Sequence, residues 1–198
     1  MHCIPRAALL SAVLCLSACG GAPEAEGTDT LAEQSQTLLN GTSQGCQYGI
    51  SYLSLSFYSP PQWNVYLSRY SSATCTARTV LLGVSYNVPK ISLAANDLGV
   101  AVGYAYRASP SVSGNIQCRV QHIEPSGMTV TRTSDLVVMY GAGNVETCNL
   151  AISGDGTTLT AGGTKTGPLA GETGSGSNYV ATFADFFTTT NAPTFAAY

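Results

Sequence analysis

Acid–base chemistry in this chain has one imidazole to draw on beyond the extreme N-terminus. His122 lies in Val120-Gln121-His122-Ile123-Glu124, and in an extended strand residues two apart share a face, so a carboxylate stands beside the ring as a base and its orienting acid would require. The nucleophile that such a pair would serve has no motif. There is no Gly-x-Ser-x-Gly elbow, and any serine would have to be chosen arbitrarily. An exposed or hydrogen-bonded structural histidine is the expected reading of His122.

The remaining acids beyond residue 45 are Asp97, Glu124, Asp135, Glu146, Asp155, Glu172 and Asp185. None forms a dense ligand loop, and a single carboxylate in Gly154-Asp155-Gly156 does not make a calcium site of six to eight oxygens. A hairpin turn explains that triplet better. Gly141-Ala142-Gly143 lacks the flanking pattern of a phosphate loop. No metal, no cofactor and no catalytic residue is therefore expected, although two acids meeting in space to hydrolyse a glycoside would leave no local signature.

Aromatic residues offer a different chemistry. Tyr48 to Tyr70 holds Tyr48, Tyr52, Phe57, Tyr58, Trp63, Tyr66 and Tyr70. If Tyr58-Ser59-Pro60-Pro61-Gln62 is a hairpin turn, paired residues sum to 120, setting Phe57 opposite Trp63, Leu55 opposite Val65 and Leu53 opposite Leu67 on a core face. The other face then gathers Tyr52, Tyr66 and Tyr70 among Ser and Asn. Rings with hydroxyls suit stacking on sugar C–H faces or rigid contact with a protein, which makes these three the candidate ligand-binding residues. Aromatic residues favour strands in any case, so the three would also suit the covered side of a second sheet.

The elements that must position these residues are strands. Between Cys46 and Tyr198 there is no helical periodicity, only short alternating runs separated by Gly, Pro, Asn and Asp turns, the pattern of an antiparallel all-β domain. Strands are expected over Ile50 to Phe57, Trp63 to Tyr70, Thr76 to Tyr86, Ile91 to Ala95, Gly99 to Arg107, Ile116 to Ile123, Met128 to Thr133, Leu136 to Tyr140, Asn149 to Ser153, Thr158 to Gly162 and Tyr179 to Phe183. Gly99, Ala101, Gly103 and Ala105 leave one strand face nearly bare, which predicts close approach of another sheet or chain. Thr164 to Asn178 reads as a mobile loop, and the aromatic end through Phe195 and Tyr198 as a docked last strand.

The N-terminus carries an address. Arg6 precedes an apolar run from Ala7 to Leu16, a signal-peptide core too short to span a bilayer of ~30 Å. The run ends in Leu16-Ser17-Ala18-Cys19, which resembles the lipobox of bacterial lipoproteins. An ordinary secretory leader that happens to contain a cysteine is the competing reading. The resemblance implies cleavage after residue 18, a thioether diacylglycerol on Cys19 with an N-acyl chain, and a stable membrane anchor. Gly20 stands where an Asp commonly signals inner-membrane retention, so the resemblance favours the outer membrane. Residues 19–45, rich in Gly, Ala, Gln and Thr, read as a flexible tether, with Thr30 to Leu39 a marginal short helix, and residues 46–198 as a single β domain.

Without residues 1–18 the chain counts 7 cations against 11 acids, 7 − 11 = −4, which argues against a nucleic-acid partner. Only 10% of residues are charged, well below the usual share of about 25% in soluble domains. Four cysteines remain in the β domain, Cys46, Cys75, Cys118 and Cys148, an even number suited to two disulfides outside the cytoplasm. Of three connectivities, the separations 75 − 46 = 29 and 148 − 118 = 30 favour Cys46 with Cys75 and Cys118 with Cys148.

Asn149 to Gly163 resembles the inner hairpin of a β-propeller blade, a short apolar strand leading through an Asp-Gly turn into a strand of small residues. Three units of roughly 50 residues fall short of the four-blade minimum. The expected architecture is therefore a two-layer sandwich, or blade-like sheets completed by another subunit. The function these features imply is non-catalytic binding of a glycan or surface protein at the cell envelope. A structural or assembly role in an outer-membrane complex is the alternative, and an envelope hydrolase would rest on His122 or a carboxylate pair.

Overall fold

A computed structural model describes residues 39–55, 57–111, 114–139 and 143–198. The leader, Cys19 and the segment through residue 38, including most of the Thr30 to Leu39 helix expectation, lie outside the described residues.

Among the described residues fourteen strands form three sheets. The first is an antiparallel meander of β1 (Leu39–Ser43), β2 (Cys46–Leu55), β3 (Gln62–Arg69) and β4 (Arg78–Ser85). The second repeats that order with β5 (Lys90–Asn96), β6 (Gly99–Arg107), β7 (Ile116–Glu124) and β8 (Thr129–Leu136). The third runs β10 (Asn149–Ile152), β11 (Leu159–Thr166), β13 (Asn178–Phe183), β14 (Thr194–Ala197) and β12 (Glu172–Gly174), with β9 (Asn144–Val145) paired to the end of β11. Among the described strands only β12 and β14 pair in parallel. The all-β antiparallel class and both disulfides, Cys46–Cys75 and Cys118–Cys148, are as the sequence leads one to expect. The sheets of the described residues number three.

Why they stack is visible in β6, buried from Gly99 to Tyr106 on both faces. Val100, Val102, Tyr104 and Tyr106 point one way and join Tyr48, Ile50, Val65 and Leu67 of the first sheet. Ala101 and Ala105 point the other way and join Leu159, Ala161, Tyr179, Ala181 and Phe183 of the third. A strand with two covered faces has no polar side, and each large side chain buried this way contributes about 1.5–3 kcal/mol. The expected close approach at the bare face is met by the third sheet: a Cβ on Gly103 would lie 2.9 Å from Leu150 Cγ and 3.0 Å from the Cys148 carbonyl oxygen.

The strands β1, β5 and β10 lie side by side, so the sheets share an inner edge. Leu150 N–H donates to Ser92 Oγ across β10 and β5 at 3.0 Å. Polar locks hold the rest. Arg119 pairs with Asp135 through two bonds of 2.7 Å, its guanidinium 4.8 Å above the Tyr106 ring. Buried Tyr48 donates to the Pro125 carbonyl and Tyr104 to that of Leu82, both at 3.2 Å, satisfying hydroxyls that burial would otherwise penalise.

Several sequence expectations need correction. β1 begins at Leu39, so the stretch assigned to the tether contributes the first strand and the folded chain starts before Cys46. Of the strand expected over Leu136 to Tyr140, residues 136–139 are described and form no separate strand: Leu136 closes β8, and Val138 forms an isolated bridge to Leu169. The Thr164 to Asn178 stretch contains the end of β11, all of β12 and a buried Lys165–Glu172 ion pair. Its Gly/Thr/Ser composition carries no apolar alternation, which is why it reads as a loop. The aromatic end does dock, as β14 against β13.

Candidate functional site

The β2–β3 hairpin decides where the candidate tyrosines go. Its turn occupies residues 57–61 and its paired residues sum to 117, with Ile50 opposite Leu67, Tyr52 opposite Val65 and Ser54 opposite Trp63. An odd sum inverts β2 relative to the expected register of 120, because side chains alternate with period two. Trp63, Val65 and Leu67 stay on the inner side of β3, but β2 buries Tyr48 and Ile50 and turns Leu53 outward. Phe57, expected in the core, is 77% exposed at the hairpin tip.

The three tyrosines therefore do not share a face. Tyr52 packs against the inner cluster between the first two sheets. Tyr66 lies on the outer face, between Ser51 of β2 and Leu81 of β4. Tyr70 also lies on that side. A Cβ on Gly49 would collide with its hydroxyl, and the same position is 3.0 Å from Asn40 Oδ1, so the bare glycine lets the phenol lie across β2.

This outer face is the candidate site. Asn64 Nδ2 donates to the Tyr66 hydroxyl at 2.9 Å, fixing the ring. Ser68 and Thr79 hydroxyls pair at 2.9 Å beside it. Between these polar groups Leu53 and Leu81 stand 53% exposed each. Among the described residues, the strand positions of this face (Asn40, Thr42, Gln47, Gly49, Ser51, Leu53, Leu55, Gln62, Asn64, Tyr66, Ser68, Thr79, Leu81, Val84) carry no charge. Water-facing sheet surfaces ordinarily carry Lys and Glu. Asn64 lies on the face where the sequence places it, whereas Leu53 escaped the sequence reading because the assumed register set it inside, and Leu81 was not singled out; the missing charges at alternate positions of β2, β3 and β4 were the available signal.

His122 and Glu124 are each hydrogen-bonded to other groups. Glu124 accepts hydrogen bonds from the Ser126 and Gly127 N–H groups at 2.8 and 2.7 Å, capping its own turn and holding its carboxyl below the usual range. The buried imidazole shares its Nδ1 with the Thr131 hydroxyl at 2.9 Å and packs edge-on to Phe187, while Nε2 faces Gly99. Burial first, then the Arg132 guanidinium, lowers the His122 pKa from its ordinary 6.5; the Glu124 charge opposes them. A depressed imidazole pKa means that the unfolded chain binds the proton more tightly, so His122 costs stability as pH falls below about 6.5 toward its folded-state value. Thermal melts of His122→Gln should show a flatter pH dependence below about 6.5 than the parent. An unchanged slope would show that the imidazole titrates normally in the fold.

Arg132 is equally structural. It donates to the carbonyls of Phe186, Thr189 and Asn191 and stacks 4.9 Å from the Phe186 ring. Asp155 closes the β10–β11 turn; hydrogen bonds from the Ser153 hydroxyl and then the Thr157 and Thr158 N–H groups hold its pKa at about 2. Shallow depressions lie among the described residues in two places relevant to ligand binding. One of about 320 Å³ near Cys46–Cys75 holds Arg69, already bonded to the carbonyls of Thr76, Pro125 and Ser126. The other, about 500 Å³, lies on the third sheet's outer face. Among the described residues no cluster of His, Cys, Asp or Glu is placed to hold a metal ion, and no helix is long and apolar enough to cross a membrane.

Fold and surface define a disulfide-bonded all-β protein of three stacked sheets with an uncharged, partly apolar end face. Comparison with known proteins finds no matching family model, no similar curated protein and no similar solved structure.

Proposed function

We propose that this chain is a lipid-anchored cell-envelope protein, held in the outer membrane through Cys19, which acts by binding rather than catalysis and docks a protein on the outer face of its first sheet. One observation supports the docking face above all: Leu53 and Leu81 protrude, uncharged and half-exposed, beside hydrogen-bonded Tyr66. Exposed leucines flanking a rigid phenol form the apolar anchors of a protein interface. A glycan is the second reading, favoured by Tyr66 and Tyr70 among Asn and Ser; the leucines beside the Tyr66 ring hinder stacking by a sugar.

The anchor is tested by mass spectrometry of the membrane-fraction protein. A diacylglyceryl group on Cys19, and release of a Cys19→Ser variant from membranes, are expected; membrane retention of that variant would overturn the anchor.

A photo-cross-linking residue at position 81 should give discrete protein adducts in intact envelopes, while one at position 57, on the hairpin tip, gives none. Tyr66→Ala should weaken partner binding by about tenfold or more, with an unchanged melting temperature. Saturable polysaccharide binding lost in Tyr66→Ala/Tyr70→Ala, without protein adducts at position 81, would select the glycan.

A further inference from the structure

We infer that the protein docked on the first sheet is a second copy of this chain, which presents the outer face of its own third sheet. This rests on the reading that the first sheet's outer face is an interaction surface.

The occupant is argued from three features of the fold. First, the chain already contains such a contact: the second sheet offers Ala101, Gly103 and Ala105, and the third sheet fits Leu150 and its aromatic side chains against them. The third sheet then repeats the offer on its far side. Residues alternating with the buried Leu159, Ala161, Tyr179 and Phe183 are Thr160, Gly162, Val180 and Thr182, joined by Thr194 and Ala196 of β14. Large and charged side chains are absent from these positions.

Second, this bare face is indented. The groove of about 500 Å³ is lined by Thr173, Thr182, Pro193, Thr194 and Ala196. The first sheet carries the matching relief in Leu53, Tyr66 and Leu81. Neither face would bury an unpaired charge, the costliest obstacle to docking two surfaces.

Third, the sheet count is incomplete. Among the described residues, three sheets share an inner edge at β1, β5 and β10, and no other sheet covers either end face. Closed radial stacks usually hold four to eight sheets, and two copies supply six. In a two-copy ring the first-to-third contact forms twice about a two-fold axis; if the rotation does not close, the same contact extends into a filament.

The test uses the full chain, purified from membranes in detergent. Light scattering should give a dimer, or a larger assembly if the ring stays open. Leu81→Arg and Thr182→Arg should each yield monomers, with circular dichroism and melting temperature like the parent. Thr160→Arg, on the same face as Thr182, guards against a local folding defect. Chains carrying Leu81→Cys mixed with chains carrying Thr182→Cys should form an intermolecular disulfide, and neither variant should cross-link to itself.

A monomeric parent overturns the inference, as does self-cross-linking at position 81, which would mean that two first sheets face each other. Thr182 lies outside the face used in the broader reading. Adducts at position 81 that survive Thr182→Arg therefore identify a different protein, sinking the second copy while leaving the docking face intact. Loss of adducts at position 81 in a monomeric parent removes both.

Discussion

Lys165→Met is expected to lower unfolding stability by about 3–5 kcal/mol. The Lys165 and Glu172 side chains are 2% and 11% exposed, with Nζ 3.2 Å from Oε1. The ammonium also donates to the Gly167 and Gly176 carbonyls, while Glu172 Oε2 accepts the Leu169 N–H at 2.9 Å. Removing the cation leaves a buried carboxylate with its counterion gone, and takes the donor from two carbonyls. Lys165→Met combined with Glu172→Leu should cost less than Lys165→Met alone, because no orphaned charge remains. Urea unfolding at neutral pH, with the transition slope checked for two-state behaviour, measures both. A loss under about 1 kcal/mol for the single variant would mean that water reaches the Glu172 carboxylate.

Removing the second disulfide is the other large effect. Cys118 sits in β7 of the second sheet and Cys148 just before β10 of the third, 30 residues apart. Closing a loop of that length is worth about 3.6 kcal/mol in the chain-entropy model, so Cys118→Ala/Cys148→Ala should lose that much. The Cys46–Cys75 link closes a loop of nearly the same length, separation 29, between β2 and the β3–β4 connection of the first sheet. Its entropic term is therefore almost identical. Any excess loss on breaking Cys118–Cys148 would report packing between the second and third sheets, since both sulfur-bearing residues are buried there. Equal losses for the two pairs would assign the whole effect to chain entropy.

Much of this architecture was legible from residue order. Alternating apolar runs between Gly, Pro, Asn and Asp turns determine β-strands, and the near-equal cysteine separations pointed to the observed pairs. The bare Gly99, Ala101, Gly103 and Ala105 face announced a close neighbour, and the third sheet supplies it. The aromatic C-terminus had to be covered, and β14 docks it.

The candidate site was legible only strand by strand. Period-two alternation determines which residues of β2 share a side and which of β3 do, but it leaves open how the two strands align. The turn and the packing of Tyr48 and Ile50 beneath the second sheet chose a sum of 117, and that odd offset separated Tyr52 from Tyr66 and Tyr70 and brought Leu53 to the surface. Leu39–Ser43 becomes a strand through its pairing with β2, and Lys165 is buried because β12 and the neighbouring turn close over it. These outcomes depend on contacts between segments distant in sequence. Local residue order therefore determined the class, the strands and the cross-links, while the tertiary structure alone decided the register, the number of sheets and the surface left uncovered.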